Sequence, residues 1–208
     1  MSVVVVKNVK PKERARLRSP LSLLAIAVMA CGFVLFGQGL WIHAKAYTAQ
    51  ILLERAFSQS IATGEKVKPW SWADTWPVAR IEAPRLMASA IALNGASGQA
   101  LAFGPGHLQN TPQAGERGTA VYAAHRDTHF AFLKDIEKGD LIVITRDDGK
   151  TFTYRATRMT VARWDEAQID VNATGSHLVL ATCYPFNAVT QGPLRYLVYA
   201  ELAEQTQL

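Results

Sequence analysis

Cys183 closes an apolar, strand-like run, Leu178-Val179-Leu180-Ala181-Thr182-Cys183, and the only other cysteine, Cys31, lies in a hydrophobic stretch near the N-terminus. A thiol with no obvious disulfide partner invites a nucleophilic reading. At an ordinary pKa of about 8.5 it is only slightly ionised near neutral pH, so a catalytic thiol needs a base or a cation beside it. His107, His125, His129 and His177 can be weighed for that place. His125 suits it best, because it ends the apolar strand Ala120-Val121-Tyr122-Ala123-Ala124, where a side chain is held firmly yet can face a cleft. Arg195 opens the last strand; a guanidinium keeps its proton, so it fits an oxyanion or a substrate carbonyl better than proton transfer.

Each residue alone also has a plain structural reading: a packed thiol, a hydrogen-bonded imidazole, a surface cation. A metal site is a further alternative, since His125-x-Asp127-x-His129 with His107 and Cys183 offers zinc donors. Structural zinc favours tighter cysteine pairs, and such a site would leave Arg195 unused.

The elements that must position these groups are short strands set apart by Gly, Pro and Asp signals. Val78–Ala83 and Ala88–Leu93 form a first pair, Gly118–Ala124 follows, and Leu141–Thr145 with Thr151–Val161 flank the hairpin turn Asp147-Asp148-Gly149-Lys150. Leu178–Cys183 and Leu194–Leu202 complete the set, with short helical turns expected at 96–103 and 128–135. This pattern predicts a mainly β fold with short helices, mostly antiparallel and closed or nearly closed into a barrel.

Upstream, Leu21 to Ile42 carries no charge and exceeds the roughly 20 apolar residues that a membrane-spanning helix requires. Lys7, Lys10, Lys12, Arg14, Arg16 and Arg18 precede it against one acid, Glu13, so the positive-inside rule keeps residues 1–20 cytoplasmic and sends the rest across. A cleaved signal peptide is the rival, with Ala44-Lys45-Ala46 as its site, but the apolar stretch is longer than the usual core of about 7 to 15 residues. The formal charge of +5 comes largely from that basic arm, which excludes a nucleic-acid reading of the folded domain. Ala49, Leu52, Leu53, Ala56, Phe57 and Ile61 recur at helical spacing, predicting an amphipathic helix from His43 to about Thr63 with Gly64 as its stop. A linker with Trp70, Trp72 and Trp76 follows, and its tryptophans are expected to cover an edge of the core.

Taken together, His125 in Ala124-His125-Arg126-Asp127-Thr128, Thr182-Cys183 at a strand end and Arg195 opening the next strand resemble, in order and approximate spacing, the motifs of the sortase family. Gly104-Pro105-Gly106-His107 adds to the likeness, which covers about residues 78–202. Trp70–Trp76 and Cys183–Ala188 look most like the Gram-negative, proteobacterial sortases. Val179-Leu180 departs from the usual Thr-Leu ahead of Thr-Cys.

The resemblance implies a closed sortase-type β-barrel of about eight strands over 78–208, after a tail (1–20), a transmembrane anchor (21–42) and a juxtamembrane helix with its Trp-rich linker (43–77). It implies a transpeptidase that cleaves a C-terminal sorting signal like Leu-Pro-x-Thr-Gly on a secreted protein and passes the acyl group to an amine acceptor in the cell envelope. Cys183 is then the nucleophile, His125 the acid and base, Arg195 the oxyanion or peptide-positioning group, and Thr182 part of the peptide groove. Ile169, Val171, Tyr184 and Phe186 are candidate contacts for an apolar signal residue. No cofactor or metal is implied. The expected address is a single-pass inner-membrane protein with its catalytic domain in the periplasm.

Overall fold

The computed structural model describes residues 20–190 and 192–206; the basic arm lies outside them. The chain falls into two compact units, Met1–Lys45 and Ala46–Leu208. Helix α1 runs Pro20–Thr63. In the first unit it is apolar on every side, with Leu24, Phe33, Phe36 and Trp41 exposed, and it is the one helix among the described residues long and apolar enough to cross a membrane.

In the second unit the character of α1 changes. Ala49, Leu53, Ala56, Phe57 and Ser60 are buried on one stripe, as the helical spacing predicts. Full burial of Leu53 and of Phe57 contributes about 2 kcal/mol each. Gly64, at φ +72°, ends the helix by donating its N–H to the Ser60 carbonyl (2.8 Å), a left-handed cap that favours glycine.

Eight strands close into a barrel: β1 (Pro77–Ala83), β2 (Ala88–Asn94), β3 (Gly106–His107), β4 (Gly118–Ala124), β5 (Leu141–Arg146), β6 (Thr151–Arg163), β7 (Ser176–Cys183) and β8 (Leu194–Thr206). The order around the barrel is β1-β2-β3-β4-β7-β8-β6-β5. The mainly β, closed architecture therefore matches the expectation, and the 146–151 hairpin sits where its turn residues put it. Two-residue β3, inside Gly104-Pro105-Gly106-His107, was not legible: it is too short for alternation to register. It also makes one of two parallel pairings, with β2; the other is β4 with β7. Helix α2 (Gly98–Phe103) and a 3-10 turn at Ala131–Asp135 fill the expected helical positions.

Strand alternation separates the two faces. Ala120, Tyr122 and Ala124 of β4, Leu178 and Leu180 of β7, and Val198 and Ala200 of β8 point into the barrel, where they pack with Ile81, Phe130, Ile142, Ile144 and Tyr154. The buried Tyr154 hydroxyl is satisfied, accepting from Gly115 N–H (2.6 Å) and meeting Ser176 Oγ (2.9 Å). Val121, Val179 and Leu197 point outward and form a second cluster under Ala167 and Ile169 of the β6–β7 loop. Of the three linker tryptophans, Trp70 meets Phe103 edge-on (4.9 Å) and Trp76 packs on the core, while Trp72 is 79% exposed and covers nothing.

Candidate active site

The parallel pairing of β4 with β7 decides the site. Its register sets Ala124 against Thr182, so the next residues, His125 and Cys183, leave neighbouring strands at the same rim and on the same outer face. The antiparallel pairing of β7 with β8 then sets Cys183 directly against Arg195. The three side chains thus stand at the ends of three adjacent strands.

They border a groove of about 300 Å³. Its floor is the outward face of Val121 and Ala123 (β4), Ala181 (β7) and Leu197 (β8); its walls are Leu101 of α2, Leu108, and Trp164, Ala167 and Ile169 of the β6–β7 loop. The two alanines keep the floor low. The β6–β7 loop is tied over this face by backbone bonds at both ends: Trp164 N–H donates to Pro193 (2.9 Å), and Gly118 N–H donates to Gly175 (2.7 Å). The Thr119 hydroxyl adds a bond to the Asp170 carbonyl (2.7 Å). A Cβ at Gly118, which sits at φ +113°, would collide with the Val171 carbonyl, so glycine is required there.

Cys183 is half-buried and makes no disulfide; His125 is exposed. The His125 loop is fixed from behind: its carbonyl accepts from the N–H of Phe130 (3.1 Å), whose ring is fully buried in the barrel. Thr182 borders the groove, but it is only 2% exposed and its hydroxyl donates to the Ala124 carbonyl (2.8 Å). That bond ties β7 to β4 one residue before both Cys183 and His125. Arg195 Nη1 donates to the carbonyls of Gly192 and Leu194 (2.8 Å each), which orients the guanidinium and leaves its other N–H groups for a ligand.

The remaining histidines are occupied elsewhere. His107 is buried, with Nε2 on the Pro112 carbonyl (3.0 Å), and burial pushes it below its ordinary value, only partly opposed by that bond. His177 sits at the start of β7, the far end from Cys183, with Nε2 on the Thr174 carbonyl (2.8 Å). His129 is held low chiefly by burial and secondarily by the charge of nearby His125. Among the described residues no group of three or more His, Cys, Asp or Glu is disposed to hold a metal ion.

Of the four candidate contacts in the flanking loops, Ile169 reaches the groove. Val171 serves through its carbonyl, which accepts from Thr119 N–H (3.2 Å). Tyr184 and Phe186 instead form an aromatic cluster with Tyr196, with ring centroids 6.3 and 5.2 Å from it.

Leu101 and Arg126 are residues of the site that sequence reading missed. Arg126 Nη2 donates to the carbonyls of Ala188 (2.6 Å) and Thr190 (3.0 Å), fastening the β7–β8 loop to the loop that carries His125; its Nη1 is buried without a partner. Val189, between those two carbonyls, is fully exposed. An arginine in a turn gives no sequence signal for main-chain partners some sixty positions away.

Comparison with known proteins agrees with this fold. The Sortase domain family matches residues 81–203. Sortase D of Bacillus subtilis is 31% identical over 122 residues, covering 58% of this chain and 61% of that protein, so the chain spans about three fifths of that relative's length. A Clostridium perfringens Sortase D5 transpeptidase structure superposes with a TM-score of 0.59 at 21% identity, covering 75% of this chain and 96% of that one. Sortase C-1 from Actinomyces oris gives 0.56 at 27% identity, covering 62% and 73%. The curated relative is from a Gram-positive bacterium, so the proteobacterial subclass gains no support, nor does the inner-membrane, periplasmic address that went with it. The stretches that suggested it, Trp70–Trp76 and Cys183–Ala188, are a linker and a loop, where sequence is least tied to the fold.

Proposed function

Because this chain belongs to the sortase family, we propose that it is a membrane-anchored cysteine transpeptidase acting on the C-terminal sorting signal of a secreted protein. Residues 21–42 are the anchor, and the basic arm ahead of them puts the catalytic unit outside the cytoplasm. The observation that carries the reading is the convergence of Cys183, His125 and Arg195 on one end of a mostly apolar groove. An extended peptide, Leu-Pro-x-Thr-Gly or similar, lies in it with the scissile carbonyl at the thiol.

In the first step the Cys183 thiolate attacks that carbonyl. Arg195 donates to the oxygen as it becomes negative, and its main-chain anchors mean little reorganisation at that moment. As the C–N bond breaks, His125 gives its proton to the leaving amine, and a thioester remains on Cys183. In the second step an acceptor amine attacks the thioester; the same imidazole takes its proton, and the thiolate leaves. One hard amide exchange is split into two easier ones, with one group serving as acid and then base. Thr182 contributes to the groove wall and, through Ala124, to the alignment of the two reacting strand ends.

The test is direct: the full chain in detergent is incubated with a sorting-signal peptide, and mass spectrometry looks for an acyl adduct on Cys183. An adduct that vanishes in Cys183→Ala and is discharged by an added amine is expected. Absence of any adduct with an intact, alkylatable thiol refutes the reading.

A further inference from the structure

The family match begins at residue 81, whereas the compact unit that contains the barrel begins at Ala46. The helical turns in between are packed at a particular place. Leu53 and Phe57 of α1 share a buried cluster with Ile91 and Leu93 of β2 and Ala100 of α2, and Phe103 closes it. The Gln50 side-chain amide donates to the Phe103 main-chain carbonyl (2.8 Å). Glu54 pairs with Arg80 of β1, whose guanidinium lies over the Phe57 ring (5.2 Å from the centroid).

Helix α2 cannot hold itself. It has six residues, well short of the roughly 12 needed for an isolated helix to be even marginal in water. Its local aid is a cap, Ser97 Oγ accepting from Ala100 N–H (3.2 Å). Its placement must come from what it packs on. Ala100 turns toward α1, and the next residue, Leu101, forms a wall of the groove that Cys183, His125 and Arg195 border.

We propose that the juxtamembrane turns Ala46–Thr63 are a positioning element of the peptide site, with Gln50 and Phe57 setting α2 and thereby the Leu101 wall. The substrate in this statement rests on the transpeptidase reading above; the geometry does not. Gln50 and Phe57 touch no reacting atom and act through α2. A fragment beginning at β1 would keep the thiol and all eight strands but lose the wall's support.

The experiment uses the full chain in detergent micelles, with Gln50→Glu, which keeps the shape but removes the donor, and Phe57→Leu, which opens a small gap. Three readouts are taken: kcat and KM for a fluorogenic Leu-Pro-x-Thr-Gly peptide, alkylation of Cys183 by iodoacetamide, and hydrogen exchange over residues 98–104. Gln50→Glu is expected to raise KM about five-fold, the worth of about one hydrogen bond, with kcat within about two-fold. Exchange at 98–104 rises, and alkylation, which needs no peptide wall, is unchanged. Phe57→Leu acts in the same direction. Unchanged KM and exchange in both variants overturn the proposal, as does a rise in exchange that extends equally through β4 and β7. If the unmodified protein turns over no peptide, the transpeptidase reading fails, and exchange at 98–104 still decides whether α1 holds α2.

Discussion

Replacing Arg126 by methionine keeps the apolar stem of the side chain and removes both bonds to the β7–β8 loop. A hydrogen bond to a charged group contributes about 1.5–3 kcal/mol net, so the Ala188 and Thr190 carbonyls together set a ceiling of about 6 kcal/mol. Two features lower it. The buried, unpartnered Nη1 carries a desolvation cost of about 1–3 kcal/mol that methionine relieves, and the residue is half-exposed, so water replaces part of what is lost. A net loss of about 2 kcal/mol is the central expectation, equivalent to about 30-fold in the equilibrium between fastened and released loop. That loop leads from Cys183 to Arg195, so its release disperses the rim of the groove. Acylation of Cys183 by a sorting-signal peptide, followed by mass spectrometry, should slow by up to about 30-fold, the limit reached when the loop is mostly released, and amide exchange over 184–190 should rise while β4 and β7 keep their protection. Arg126→Lys recovers part of the rate, because one ammonium spans two carbonyls less well than a guanidinium fork. Acylation within about two-fold of the unmodified protein, with 184–190 still protected, would falsify the reasoning.

His125→Ala should lower turnover about 10²- to 10⁴-fold, the usual worth of a general acid and base, and Arg195→Ala about 10²- to 10³-fold, with far-ultraviolet circular dichroism unchanged in both. Ala181→Leu raises the groove floor: peptide KM should climb about ten-fold or more while the urea midpoint stays put, since the new side chain points out of the barrel. Thr182→Val removes the bond to the Ala124 carbonyl; urea unfolding should report a loss of about 1–3 kcal/mol, and no loss means the hydroxyl serves peptide alone. Burial lowers the pKa of His107, so the fold holds it neutral while the unfolded chain takes up a proton near its ordinary 6.5. Its contribution to stability is therefore complete above that pH and declines as pH falls below it. His107→Gln should flatten the difference in urea midpoint between pH 7.5 and 5.5.

What the sequence carried was what alternation and turn chemistry can encode. The 146–151 hairpin, the long strands and the Gly64 stop were readable because each depends on neighbours close in the chain. His125, Cys183 and Arg195 were found as residue types at strand ends, and the resemblance joined them; their actual adjacency depends on the β4–β7 and β7–β8 registers, which no local pattern specifies. Thr182 was expected to help form the peptide groove; it borders that groove, and the bond of its hydroxyl to a neighbouring strand had no signal in the sequence. Arg126, Leu101 and Gln50 stayed invisible for one reason: each acts on main-chain or apolar partners that only the closed barrel brings near. Val179, noted as a departure, lies fully buried in the outer cluster with Val121 and Leu197, where a hydroxyl would need a partner.

The parallel seam between β4 and β7 also has a meaning for time. Parallel neighbours cannot be joined by a tight turn, and here β5, β6 and their loops intervene before β7 arrives. Closing so long a loop is entropically slow, and the base and the thiol meet only after it closes. A chain emerging from its N-terminus, or any fragment ending before β7, carries His125 with nothing to activate. The reactive pair therefore exists only once this seam has closed, and until then the base and the thiol are held by separate parts of the chain.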